Sequence, residues 1–155
     1  GDQLLRRRDV DEAIEAYTNA QSRGADPGQV AGRLETAETL AAFFEARDAA
    51  KAAFEEGDFV EAKQHCNRAM EIGRSDSIRS MVDLAALTDF KATVEFEDML
   101  SKARADIAAE NWVSARAWLL TARKIRDTER VREYLDEVAR HLPPIPGTET
   151  EQDEE

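Results

Sequence analysis

Residues 55–73 read EEGDFVEAKQHCNRAMEIG, and the fold turns on how this stretch is understood. A Gly57-Asp58 corner is followed by an aromatic residue, Phe59, and then by Ala62, Cys66 and Ala69 at helical spacing before Gly73. The Gly-Asp pair reads as a turn between two helices. The i, i+4, i+7 stripe sets small residues on one face, where a second helix can come close. One such corner makes a helical hairpin. Several at a fixed interval make an array, in which each hairpin hides its apolar stripe against its neighbours.

Two further stretches carry the pattern: RRDVDEAIEAYTNA at 7–20 and AENWVSARAWLLTA at 109–122. In all three a turn pair precedes an apolar or aromatic residue (Val10, Phe59, Trp112). Ala13, Ala62 or Ala115 follows three residues later, then Tyr17, Cys66 or Leu119, then Ala20, Ala69 or Ala122. Sparse Gly and Pro punctuate the rest into segments of helical period. They predict helices at about 1–8, 10–23, 28–56, 59–72, 76–110, 112–125 and 128–141. The absence of Gly and Pro from 33–56 and 76–110 favours continuous helices there, with Thr88-Asp89 as an alternative cap inside the second.

GDFVEA…NRA at 57–69 and DVDEAIEAYTNA at 9–20 resemble the tetratricopeptide repeat; the third copy has Glu110-Asn111 in place of the Gly-Asp corner. The resemblance implies an all-α fold, a right-handed stack of antiparallel helical hairpins of about seven helices. It implies a repeat domain over 1–142, followed by a Pro-containing acidic tail over 143–155 that is expected to be disordered. The period departs from the family. Ala13 to Ala62 spans 49 residues and Ala62 to Ala115 spans 53, against about 34 in the standard repeat. Laying the second long segment on the first with a shift of 53 aligns Phe43 with Phe96, Ala50 with Ala103 and Phe54 with Ile107, and further on Ile78 with Val131. The extra residues therefore read as lengthened first helices.

Composition narrows the function. Charged residues are 35% of the 155 and aromatics 6%, which favours helices over a sheet. The net charge is −12, and five of the acidic residues fall in the last eight positions, leaving about −7 on the remainder. An acidic body lacks the basic footprint that nucleic-acid binding needs. No apolar run approaches the ~18 residues of a membrane span, so neither a nucleic-acid nor a membrane partner is expected. The chain opens on Gly1 and not Met, which reads as an excised piece, so a missing leader segment carries no weight. No compartment is written in the residues, although a cytoplasmic one is favoured.

Chemistry is sparse. His65-Cys66 has no converging partners of the kind a metal needs. Cys66 shares the stripe position of Tyr17 and Leu119, which predicts a buried, inert thiol. His141 stands at a helix C-terminus, where a charged imidazole is favoured by the dipole. No Ser/His/Asp set or phosphate-binding glycine loop is present, so no catalytic, cofactor-binding or metal residue is assigned, no cofactor is expected, and an enzyme is not expected.

Trp112 holds the corner position of Phe59 and reads as core, whereas an exposed Trp118 would be an anchor for a partner. Arrays of the resembled family bind extended peptides or helices on the face lined by their first helices. Carried over by position, that face comprises Leu5 and Arg6, then Phe44, Arg47, Lys51 and Glu55, then Leu100, Arg104 and Ala108. The family's clamp for a peptide C-terminus is not carried over, because Asp48 and Ser101 stand where two of its residues would fall. The expected function is thus a non-catalytic scaffold or adaptor module that binds a peptide or helix of a partner protein. The alternatives are self-association into a homo-oligomer through the long helices, or a regulatory segment of a larger multidomain protein.

Overall fold

A computed structural model of the 155-residue chain describes residues 7–24 and 26–143. Among them the fold is all-α, with no strand. Six α-helices are present: α1 Arg7–Ser22, α2 Pro27–Glu55, α3 Phe59–Gly73, α4 Leu84–Ala108, α5 Trp112–Ile125 and α6 Glu129–Ala139. One short 3-10 turn, Arg79–Met81, precedes α4. The contacts group into two compact units, Gly1–Val94 and Glu95–Glu155, and α4 runs from one into the other.

In the first unit α1 packs on α2 and α2 on α3. Phe59 at the start of α3 meets Phe54 near the end of α2, 5.8 Å between rings. At the other end of α3, Gly73 lies against Phe43, so α3 runs back along α2. The core joins Val10 of α1, Leu40, Phe43, Phe44, Ala46, Ala50 and Ala53 of α2, Ala62, Cys66 and Ala69 of α3, and Ile78, Val82, Leu87 and Val94 beyond. In the second unit Phe96, Leu100 and Ala103 of α4 join Ala115, Leu119 and Ala122 of α5 and Val131 and Val138 of α6. Lys102 reaches Trp118 while Asp106 accepts from Ser114, so α5 runs back along α4.

The two corners are built alike. Gly57 has φ +81 and Glu110 has φ +59. The Gly57 and Asp58 amides donate to the Phe54 and Ala53 carbonyls at 3.0 and 2.9 Å. Fifty-three positions on, the Glu110 and Asn111 amides donate to Ile107 and Asp106 at 3.0 and 2.8 Å. Both are Schellman terminations, which require a left-handed residue just past the helix. Asp58 and Asn111 stand at the N-cap positions of the next helices with nearly the same backbone angles, φ −87 in both, although only the Asp58 side chain accepts a cap hydrogen bond, from the Glu61 amide. Two residues further, Val60 and Val113 are both exposed, at 60% and 64%. The recurrence read from 57–69 and 109–122 is thus a recurrence of backbone geometry. The first copy differs: Ala13, Tyr17 and Ala20 are half-buried, while Ala62, Cys66, Ala69, Ala115, Leu119 and Ala122 are fully buried.

Three expectations are corrected. The described chain has six α-helices and not about seven. The break expected near Asp9 is absent, since α1 passes unbroken from Arg7 through Val10; Arg8 pairs with Glu12 one turn on, at 3.1 Å, and nothing at 8–9 breaks a helix. The first six residues of the helix expected at 1–8, and residues 144–155 of the tail, lie outside the described residues.

The long helix expected from 76 begins only at Leu84. Serines and Asp76 hold 75–79 as a turn: the Ser75 carbonyl accepts from Ile78 and Arg79 at 3.1 and 2.9 Å, and Arg79 binds Asp76. Such side chains give the backbone a local alternative to helix. Val82 is extended, and Asp83 Oδ1 accepts from the Ala86 amide at 2.9 Å, opening α4. Thr88 lies inside that helix, its hydroxyl bonded back to Leu84 at 2.8 Å, so the alternative cap at 88–89 is not used.

Two substitutions test these constraints. Left-handed backbone costs a non-glycine residue about 1–2 kcal/mol, partly offset by glycine's greater unfolded freedom. Glu110→Gly should therefore raise stability by about 0.5–1 kcal/mol in urea denaturation. Gly73 is needed for space: a Cβ there would stand 2.6 Å from Leu84 Cδ2 and 3.0 Å from the Phe43 ring. Gly73→Ala should cost about 1–2 kcal/mol in the same measurement, the scale of overpacking.

Candidate functional site

Helical spacing on α2 sets Phe44, Arg47 and Lys51 on one side, three and four residues apart. Facing them is the segment where the regular helix fails: Met81, the extended Val82, the capping Asp83, and then Ala86, Leu87 and Phe90 of α4. Together with Phe43 these residues line a groove of about 270 Å³. Its floor is largely aromatic. Phe43 and Phe44 meet edge to face at 5.4 Å, and Phe90 meets Phe54 in the same way at 5.5 Å.

The charges of the groove are arranged unevenly. The Arg47 guanidinium lies 4.7 Å above the Phe44 ring and is half-buried there. Its Nε and Nη2 donate to Asp48 Oδ1 at 3.3 and 3.2 Å, while Arg7 Nη1 of α1 donates to Asp48 Oδ2 at 2.7 Å. Burial pushes the Asp48 carboxyl up, but the hydrogen bonds and charges of Arg7 and Arg47 outweigh it and hold the group below the usual range. The bond to Asp48 raises the Arg7 guanidinium in turn. Lys51 is exposed, one turn beyond Arg47, and its ammonium pairs with no carboxylate in this groove. Asp83 is the acidic group on the opposite wall, with Oδ1 engaged at the α4 cap.

Of the residues expected to face a partner, Phe44, Arg47 and Lys51 come together here, but Phe44 is itself core, 3% exposed beneath Arg47, so only the two cations are open to a partner. Arg6 and Leu5 lie outside the described residues. Leu100 is corrected: it is fully buried in the second unit's core beside Ala103 and Leu119, which an exposed recognition residue cannot be. Arg104, Ala108 and Glu55 are exposed but line no part of the groove. Trp118 is half-buried against the second core. Lys102 covers its face at 4.6 Å and also pairs with the buried Asp98 at 3.3 Å, so the ring is not a bare anchor. Met81 through Phe90 were missed as lining residues, because the helical reading of 76–110 hid the bend that exposes them; Asp83, three residues before Ala86, was the cap signal that marks it.

Cys66 is fully buried, as its stripe position predicts. His65 Nε2 lies 3.4 Å from Glu61 Oε1. Trp112 lies against the second core, and His141 stacks flat on it with ring centres 3.8 Å apart and planes 5° from parallel. Among the described residues no three His, Cys, Asp or Glu converge as a metal site, and no helix is long and apolar enough to cross a membrane. Compared with known proteins, the chain matches no family model, no curated protein and no solved structure.

The Asp48 pairing predicts an acid dependence. A carboxyl held below its ordinary value of 3.8 stabilises the fold above that pH and stops doing so as pH falls through its lowered folded value. Asp48→Asn should therefore melt below wild type at pH 7, with the gap closing as pH falls below 3.8 through the lowered folded value. Thermal melts by circular dichroism across that range check it; a gap constant with pH contradicts it.

Proposed function

We propose that this chain is a non-catalytic protein-interaction module, similar in plan to tetratricopeptide arrays but with lengthened first helices. In it, a peptide or helix of a partner protein binds the groove of the first unit. The repeated corners at Gly57 and Glu110 and the buried alanine stripes after them support the array reading. The groove itself carries the functional one. Its floor is preformed by packed aromatics, and its volume of about 270 Å³ falls under the ~300–1,000 Å³ usual for sites that enclose a small molecule. It suits one or two side chains of a larger partner. Its ionisable lining is Arg47, Lys51 and Asp83, with no nucleophile beside a base, so the lining favours binding over catalysis.

Affinity capture with the whole chain as bait tests this. Met81→Glu with Lys51→Glu puts charge on both walls while leaving the buried Phe43, Leu87 and Val94 in place. Proteins retained by the wild type should fall about tenfold or more, the scale of losing a central contact. Glu15→Lys, on the exposed side of α1, should leave retention unchanged. Retention indifferent to the groove substitutions, at unaltered melting temperature, counts against this surface.

A further inference from the structure

The polarity of the groove says more about its occupant than its shape does. Both cations, Arg47 and Lys51, stand on the α2 wall one turn apart, and the floor between the walls is Phe43, Phe44, Leu87 and Phe90. We propose, building on the interaction-module reading, that the occupant is an acidic-apolar segment of a partner protein. One large aliphatic or aromatic side chain seats against Met81 and Phe90, the half-buried apolar residues of the lining, and a neighbouring carboxylate pairs with Lys51 and with the outer donors of Arg47. The opposite wall carries Asp83, whose negative charge repels a second carboxylate there. The acid must therefore lie on the α2 side of the groove. An exposed ammonium beside a half-buried guanidinium flattened on an aromatic ring is a favourable seat for a carboxylate, since charge-assisted bonds strengthen as water is excluded.

The same geometry contains a brake. Asp48 already accepts from Nε and Nη2 of Arg47 at 3.3 and 3.2 Å, so it competes with an incoming carboxylate for that guanidinium. Arg7 holds the far oxygen of Asp48 at 2.7 Å and keeps the competitor in place. Removing the charge of Asp48 frees Arg47 and tightens acidic ligands, although it removes a native ion pair. A merely structural role for Asp48 gives no such gain.

The experiment is selection of a random dodecapeptide display library on the full chain, followed by fluorescence anisotropy with the enriched peptides. The selected set should carry Asp or Glu next to one large apolar residue. Its affinity should fall about tenfold or more with Lys51→Glu, rise several-fold with Asp48→Asn, and weaken with added salt. Lys51 is exposed, so Lys51→Glu should keep the wild-type melting temperature.

Enriched peptides that are basic or uncharged, or that bind Lys51→Glu as tightly as wild type, overturn the acidic assignment and leave the module reading standing. No enriched peptide, with no groove-dependent capture of a protein, overturns both. A concentration-dependent dimer in sedimentation velocity, broken by Lys51→Glu, gives the groove to a second copy. A gain in affinity on deleting residues 144–155 gives it to the chain's own acidic end. Either result overturns the proposal.

Discussion

Two helices approach only as near as their facing side chains allow, and here that limit is set by alanine. Ala50 and Ala53 of α2, with Ala62 and Ala69 of α3, are all at most 5% exposed. Ala103, Ala115 and Ala122 repeat the arrangement in the second unit, each at 0%. Small seams bring backbones together, and in both units the two helices so joined are consecutive in the chain. Three residues, 56–58 and 109–111, make each reversal. A reversal that tight needs one residue at positive φ, which Gly57 adopts freely and Glu110 adopts at a cost. The seam and the corner are therefore one constraint expressed twice: relax the alanines and the strained turn has no reason to persist.

That constraint is local in sequence, which is why it was legible there. Its ingredients fall within thirteen residues: a turn pair, an aromatic residue, and small residues at i, i+4 and i+7. Cap chemistry and period argue for the same structure in the middle and third copies, and both formed. The first copy satisfied the stripe but not the corner. Arg8 stands where the middle copy has Gly57, without glycine's freedom, and α1 continues through Arg8-Asp9. Its alanines, with α2 as their principal neighbour, remain half-buried.

What could not be read depended on contacts between distant residues. Gly73 looked like a turn residue, since Arg74-Ser75-Asp76 follows it. Its actual burden is steric: it lies at the end of α3, pressed by Leu84 and Phe43, partners 11 and 30 positions away in sequence. The bend at 75–83 was hidden for a related reason. Period alone cannot separate a helix start from a turn that happens to bury Ile78 at the helical position, and Ile78 is indeed fully buried. Its counterpart Val131 is equally buried within a regular helix, α6, capped by Thr128 at 3.3 Å. The same burial is met by two different backbones, so the apolar pattern could not tell them apart.

The groove arises at the positions where the repeat stops repeating. A shift of 53 sets Phe44 on Glu97 and Arg47 on Leu100. In the second unit Leu100 fills the core, while Glu97 pairs with Arg130 of α6 at 2.6 Å. In the first unit the polarity of the two positions is exchanged. The aromatic residue stands where the acid would, the guanidinium lies over it where the leucine would, and Ser77 occupies the place of Arg130. With no cation from that side to engage it and no leucine to fill the site, this stretch of α2 keeps an apolar floor and two cations facing a gap. Carrying a binding face from one repeat to the next by register alone therefore grouped Leu100 with Arg47, although the exchange between them is what makes one position core and the other a rim. Where two hairpins share a register but not every contact, the departures from the pattern, more than the pattern, mark where a groove opens.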